Sequence, residues 1–355
     1  MTRITIIARA DLTGLGIQSR NWVRLLNPNK VIVINSRPFN NNEQHFEWYD
    51  RPNAYRIDGF IKTNEINPIL DDTDILLTFE IPYNYQLISA ARVRGVKTII
   101  QNNWEFTDYI KQPLLPLPDL LVNHSYWHLE EQKILWPDIT EYCATPLFIE
   151  DYESIYQQNL SRIGKKRFLH IAGRKTYEDR NGTQDLLDAI KLIPSNIDFE
   201  LVIKTQTTNI NIFDDPRITI DKSEPTDEKE LYRNFDAMIL PRRYAGACLP
   251  MNEALASGLP VVMTDIDPNN KILPKDWLVS AEKKTSFQAR TLVDVYSADH
   301  AALAERIAQL VSADDSLMYS YKQNAREIAE KEYSSESIKH KWDLLLEKIK
   351  VHKNF

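Results

Sequence analysis

Short apolar runs alternate with stretches of helical period along almost the whole chain. In the first half, runs at residues 3–8, 30–35, 74–79, 97–101 and 119–123 predict strands. Stretches at 17–26, 85–94 and 127–135 predict the helices between them. Residues 145–164 follow without a strong period, which places an interdomain linker there. The theme then repeats, with strands expected at 167–172, 199–204, 218–220, 237–240 and 260–263 and helices at 183–193, 227–235 and 249–257. From residue 301 the chain reads as helical almost to its end, and a last helix at 335–350 sets Ile338, Trp342, Leu345 and Leu346 on one face. Strand–helix alternation of this kind marks parallel sheets with crossover helices. The expected fold is α/β: two doubly wound, Rossmann-like parallel-sheet domains at 1–150 and 165–333, with a terminal helix at 334–355. Two such domains facing each other bring strand C-termini and helix N-termini around one central cleft, which suits a diphosphate.

Length and composition agree with two domains: the chain has 355 residues, 43% of them hydrophobic and 26% charged. With 43 Lys and Arg against 50 Asp and Glu, the net charge is −7, so no bulk attraction to nucleic acid or anionic membrane is expected. Local basic clusters, Arg20 with Arg24 and Arg92 with Arg94 and Lys97, are either solvated helix faces or a groove lining. The two cysteines, Cys143 and Cys248, form neither a disulfide framework nor a metal pattern. The chain enters its first strand with no basic-then-apolar leader, and no run has bilayer length. A reducing, cytoplasmic setting is the expectation.

Residues 241–268, PRRYAGACLPMNEALASGLPVVMTDIDP, carry the strongest chemical signal. A buried run stops at a turn around Gly246, a helix opens near Leu249 and Pro250, and Gly258 closes it. Backbone N–H groups at such a start, beside the small Gly246 and Ala247, form an anion site.

This stretch resembles the nucleotide-sugar loop of GT-B glycosyltransferases, in particular the retaining family 4 type. That pattern is roughly Glu-Gly-Phe-Gly-Leu-x-x-x-Glu-Ala, then a small residue, Gly and Pro-Val. Here Gly246, Ala247, Cys248 and Leu249 occupy the loop, Glu253 is the second glutamate, and Ala245 stands where the first would be. The resemblance implies that Glu253 holds the ribose of a nucleoside-diphosphate sugar, most commonly a UDP-sugar. It also matches Gly173 and Arg174, with Arg180 beside Asn181, to the segment that neutralises the donor diphosphate. Such cations stabilise the departing charge. Gly14 and Gly16 match the family's glycine-rich loop near the donor phosphates, and Lys222 and Ser223 the loop around the base. Asn269 and Asn270 fall where a Gly-Gly turn contacts the donor.

Glu80, Glu105 and His124 end first-half strands and are candidates for the acceptor hydroxyl; His124 fits equally well as a residue packed beside a cap at Ser125. Asp265 and Asp267 resemble the metal motif of another glycosyltransferase fold, but arginines and a helix start take that part here, so no metal or other cofactor is expected. The implied activity is glycosyl transfer with retention to a hydroxyl of a saccharide, a small molecule or modified DNA. The last follows phage-type enzymes that glycosylate hydroxymethylated bases, with Arg20, Arg24, Arg92 and Arg94 as groove lining. A nucleotide-sugar-binding protein without turnover and an epimerase of the donor sugar are the rival readings. The sequence leaves the oligomeric state open.

Overall fold

The computed structural model describes residues 2–38, 42–173, 177–206, 213–223, 227–244 and 246–351. They form two compact units.

The first unit draws on the described residues of Met1–Leu147, Gln288–Thr291 and Ser335–Phe355. Its seven strands are β1 (Ile4–Arg9), β2 (Lys30–Asn35), β3 (Ala54–Asp58), β4 (Ile75–Phe79), β5 (Lys97–Asn102), β6 (Leu120–Asn123) and β7 (Thr140–Tyr142). All are parallel, in the order β3-β2-β1-β4-β5-β6-β7. Helices α1 (Gly14–Leu26), α2 (Ile66–Leu70), α3 (Gln86–Val93) and α4 (Leu129–Leu135) join them. Central strands are covered on both faces and are therefore rich in apolar residues; every residue of β4 is buried. The edge strands β3 and β7 were absent from the sequence expectation because AYRID and TEY contain no apolar run.

Helix α1 begins three residues before the expected start. The Thr13 hydroxyl accepts the Gly16 N–H at 3.3 Å, so Gly14 and Gly16 lie in the first helical turn rather than in a loop. A Cβ on Gly16 would stand 1.8 Å from the Asp11 carbonyl oxygen, a backbone contact that only glycine permits. The C-terminal helix Ser335–Val351 buries Ile338, Trp342, Leu345 and Ile349 in this unit, while Leu346 is half-exposed. Its Trp342 ring lies 5.1 Å from Trp22.

The second unit comprises the described residues of Phe148–Phe287 and Leu292–Ser334. Strands β8 (Arg167–Gly173), β9 (Glu200–Thr205), β10 (Ile218–Asp221), β11 (Ala237–Ile239), β12 (Val261–Thr264) and β13 (Leu278–Val279) form a parallel sheet in the order β10-β9-β8-β11-β12-β13. A separate pair, β14 (Ala281–Gln288) and β15 (Leu292–Ala298), was not foreseen, since AEKKTSFQ is polar almost throughout. Helices are α5 (Glu153–Leu160), α6 (Thr183–Ile190), α7 (Leu249–Ala256), α8 (His300–Ser312) and α9 (Asp315–Glu332). Helix α5 lies in the stretch expected to be an irregular linker, and the helix expected at 227–235 is a 3-10 segment, Glu228–Tyr232. The core gathers Phe168, Phe199, Leu186, Ile203, Ile239, Leu303 and Ile307, among others. Among the described residues, no helix is long and apolar enough to cross a membrane.

Candidate functional site

In the second unit, the C-terminal ends of β8, β11 and β12 carry the residues singled out from sequence. Strand β11 runs into Pro241, and the turn that follows is wrapped around the buried guanidinium of Arg242. That group donates to the carbonyls of Tyr244 (3.1 Å) and Ala247 (3.4 Å) and to the Cys248 Sγ (3.1 Å). Cys248 is the N-cap of α7, and its side chain makes no capping hydrogen bond. Pro250 lies in the first turn, where its fixed φ suits a helix start and its missing N–H costs nothing. At the other end Arg326 donates to the Ala256 carbonyl (2.6 Å) and Asn159 to the Ser257 carbonyl (2.9 Å). Gly258 then turns the chain at φ +71°, with the Tyr156 ring 2.4 Å from where a Cβ would sit.

Glu253 is half-buried on α7, and its Oε2 accepts the Tyr232 hydroxyl at 2.5 Å. Burial first, then the neighbouring carboxylate, raises the Tyr232 phenol far above its ordinary range, so it remains a donor and orients Glu253.

The loop from β8 to α6 abuts this turn. Gly173 ends β8 at φ +68°. Gly182 sits at φ +69°, where a Cβ would be 2.0 Å from the Pro241 carbonyl oxygen. Replacing Gly182 by alanine is therefore expected to cost about 2–5 kcal/mol, read as a lower urea midpoint; an unchanged midpoint would show that the loop is not pressed against β11. Arg180 is tied to the same turn: its carbonyl accepts the Arg243 N–H (2.9 Å) and its guanidinium lies 4.9 Å from the Tyr244 ring centre. Asn181 clips the end of β8 by donating to the carbonyls of Ile171 (2.9 Å) and Ala172 (3.3 Å). Arg174 and Ala245 lie outside the described residues.

Asn269 joins the group from β12. Its Nδ2 donates to the Thr264 carbonyl (3.0 Å), and the Thr264 hydroxyl donates to the Arg242 carbonyl. Lys222 and Ser223 follow β10, two strands or about 10 Å from β8 across the sheet. The N–H and hydroxyl of Ser223 both donate to Asp221, and Lys204 reaches Asp221 and Ser223. Burial opposes the Asp221 charge, but these donors hold its carboxyl down to about 2.

Three residues that sequence reasoning missed hold this arrangement together. Arg243 is buried and paired with buried Asp185 on α6 (2.5 and 3.0 Å), and it also donates to the Glu178 carbonyl (3.2 Å). Asp185 further accepts from Ser297 Oγ (3.0 Å) and the Ala298 N–H (3.2 Å). His170 on β8 donates from Nδ1 to the Ile239 carbonyl (2.8 Å) and accepts the Thr183 hydroxyl at Nε2 (2.9 Å). The available signal was two arginines directly after a buried apolar run, a place where solvation is hard to obtain.

In the first unit, Glu80, Asn103 and His124 end the neighbouring strands β4, β5 and β6. Glu80 has φ +61°, an uncommon value for a side chain of its size, and its Oε1 accepts Asn103 Nδ2 at 2.6 Å. Glu105 is buried, and its carbonyl accepts the Arg290 N–H at 3.0 Å. Burial pushes the His124 imidazole down to about 3, so it is neutral at physiological pH. Arg92 and Arg94 lie where α3 ends, at the edge where parallel strands begin, and bond to Leu117, Asn67 and Asp71. That correction removes them from a groove lining at the strand C-termini. Arg20 lies over the Trp48 ring at 4.6 Å.

Residues 166–313 match the family of glycosyl transferases group 1. No curated protein matches the chain significantly. Among solved structures, a glycosyltransferase from Rickettsia africae ESF-5 superposes with a TM-score of 0.66 at 14% identity, covering 100% of this chain and 99% of that one. Sucrose-phosphate synthase from Thermosynechococcus elongatus gives 0.65 at 15% identity, covering 99% and 100%. An alpha-glucosyltransferase in complex with UDP and a 13-mer DNA gives 0.63 at 12% identity, covering 97% and 99%. The chain shares the GT-B fold of these glycosyltransferases, and its residues 166–313 match the glycosyl transferases group 1 family.

Proposed function

We propose that the protein transfers a sugar from a nucleoside diphosphate, with UDP the first candidate, to a hydroxyl acceptor, with retention at the anomeric carbon. Residues 165–333, most of the second unit, serve as the donor domain, and residues 1–150, most of the first, as the acceptor domain, completed by the terminal helix (334–355). The observation that carries this reading is the start of α7: a helix N-terminus without a side-chain cap, Glu253 held by Tyr232, and Arg180 tethered alongside through Arg243. Glu253 accepts the ribose hydroxyls. Arg180, with Arg174, meets the diphosphate, joined by Gly173 and by the main chain of Gly246, Ala247, Cys248 and Leu249. Charge-matched donors at that place act most strongly as the leaving group gains charge.

In the step itself, the bond from the anomeric carbon to the phosphate oxygen breaks and one to the acceptor oxygen forms. The hydroxyl proton passes to the departing diphosphate, so no side-chain nucleophile is needed. Glu80, positioned by Asn103, and Glu105 bind the acceptor hydroxyl. Neutral His124 contributes hydrogen bonds rather than proton transfer, because a group titrating near 3 is a poor base at neutral pH. The two unbridged cysteines fit a cytoplasmic setting.

The test pairs binding with turnover. UDP-, GDP- and ADP-sugars are screened by thermal shift, and the best donor is then offered to monosaccharides, oligosaccharides and hydroxymethylated DNA. One donor should raise the midpoint by mass action. Glu253→Ala should weaken its binding about 10- to 100-fold, the range for a charged hydrogen bond. An undiminished shift in that variant would remove Glu253 from the ribose. Donor binding with neither transfer nor hydrolysis across the panel would leave a binding protein.

A further inference from the structure

We propose that the side-chain oxygens of Asn252 and Asn269 bind hydroxyls of the donor sugar, in place of the carboxylate that the family carries where this chain has Ala245. The inference rests on the donor reading of α7 and names the groups that recognise the sugar itself.

Two buried oxygens carry it. Asn252, in the first turns of α7, is 5% exposed, and Asn269 is 1% exposed. The Oδ1 atom of each is buried and has no hydrogen-bond partner. A buried polar atom left in that state costs about 1–3 kcal/mol, and such atoms in folded proteins commonly mark a missing ligand or water. For Asn269 the direction of the amide is fixed: the Thr264 carbonyl can only accept, so Nδ2 faces it and the oxygen points elsewhere.

Both atoms belong to one short chain of contacts. Asn269 is bonded to Thr264, whose hydroxyl is bonded to the Arg242 carbonyl. The guanidinium of Arg242 holds Ala247 and Cys248, and the Cys248 carbonyl accepts the Asn252 N–H at 3.1 Å. Both residues are thus tied to the turn at the start of α7, Asn252 from the helix's own first turns and Asn269 from the loop after β12.

Their chemistry selects the occupant. Carbonyl oxygens accept only, so phosphate, itself an acceptor, gains nothing from them. A polyhydroxyl group brings the donors both atoms lack. An anion favoured by the helix start, next to two acceptors suited to hydroxyls, reproduces the order of a sugar diphosphate. Neutral amides also leave the adjacent diphosphate without the like-charge repulsion a glutamate would add.

The experiment measures Kd by calorimetry for matched pairs: UDP with UDP-glucose, GDP with GDP-mannose, ADP with ADP-glucose. For the pair that binds, the ratio of the two constants isolates the sugar's contribution. Asn252→Leu should leave the nucleoside diphosphate within about twofold and weaken the nucleotide sugar about tenfold. The same variant, free of ligand, should melt higher, because an apolar group replaces an unpaired polar one. Asn252→Asp, which keeps an acceptor oxygen, should retain the ratio within about threefold, and Asn269→Ala should lower it as Asn252→Leu does. An unchanged ratio in both Asn252→Leu and Asn269→Ala overturns the inference while the donor reading stands. Equal weakening of both ligands also overturns it, since that is the mark of a structural role. If no member of any pair binds the wild type, the donor reading fails and takes this one with it.

Discussion

Asp185→Ala should destabilise the second unit by about 3–5 kcal/mol, the usual cost of breaking one side of a buried ion pair. The side chains of Asp185 and Arg243 are 3% and 6% exposed, so little water is at hand to solvate the arginine left behind. The lost carboxylate also strands the Ser297 hydroxyl and the Ala298 N–H, which lie more than a hundred residues away in the chain. Burial alone would raise the Asp185 pKa, yet the Arg243 hydrogen bonds and charge bring it below the ordinary carboxylate value. Urea unfolding of the second unit gives the magnitude, and a cost below 1 kcal/mol would mean the pair is already hydrated. Asp185→Leu with Arg243→Met should recover much of the loss, because a matched apolar pair carries no stranded charge. Donor affinity should not recover with it, since the Arg243 guanidinium that holds the Glu178 carbonyl beside Arg180 is gone.

Mild acid should destabilise both units, beginning near pH 6.5 rather than near pH 4. His124 in the first unit and His170 in the second are buried, and burial lowers both imidazoles, His124 to about 3. A histidine depressed in the folded state contributes its full stability above the unfolded pKa of about 6.5. As pH falls below that value the unfolded chain takes up a proton that the folded chain refuses. Each such group costs about 1.4 kcal/mol per pH unit, so His124 alone removes about 2 kcal/mol by pH 5. Asp11, Asp185 and Asp221, all with lowered values, add their losses only below about pH 4. Urea midpoints between pH 7 and 4.5 test this for wild type and His124→Gln. The variant should flatten the first unit's slope by about one proton; identical slopes would show that His124 gains a proton without cost.

What the sequence disclosed followed from solvation. Strands β1, β4, β8 and β11 are buried on both faces, so their apolar runs announced them, and Gly258 with Pro260 punctuated the end of α7. Strands β3, β7, β14 and β15 have polar faces in contact with water and carry no such run. Gly14 and Gly16 suggested a loop, but the Thr13 cap sets them in a helix, and the reason Gly16 is glycine is the Asp11 carbonyl. Arg242, Arg243 and Asp185 were illegible because charged residues usually stand in solvent. Only the fold reveals that a carboxylate on α6 and a guanidinium after β11 meet out of water. The unpaired oxygens of Asn252 and Asn269 belong to the same class, since burial of a side-chain atom has no trace in the order of letters.

Helix α7 has unlike ends. Its carboxyl terminus is met by the Arg326 guanidinium and the Asn159 amide, whereas the side chain of its N-cap residue, Cys248, makes no capping hydrogen bond at the amino terminus. With the negative pole offset, the helix acts toward its surroundings as a lone positive monopole at Leu249. A monopole's potential decays with the first power of distance and a dipole's with the second, so an approaching phosphate is drawn in from farther away, out to the screening length of about 8 Å in physiological salt.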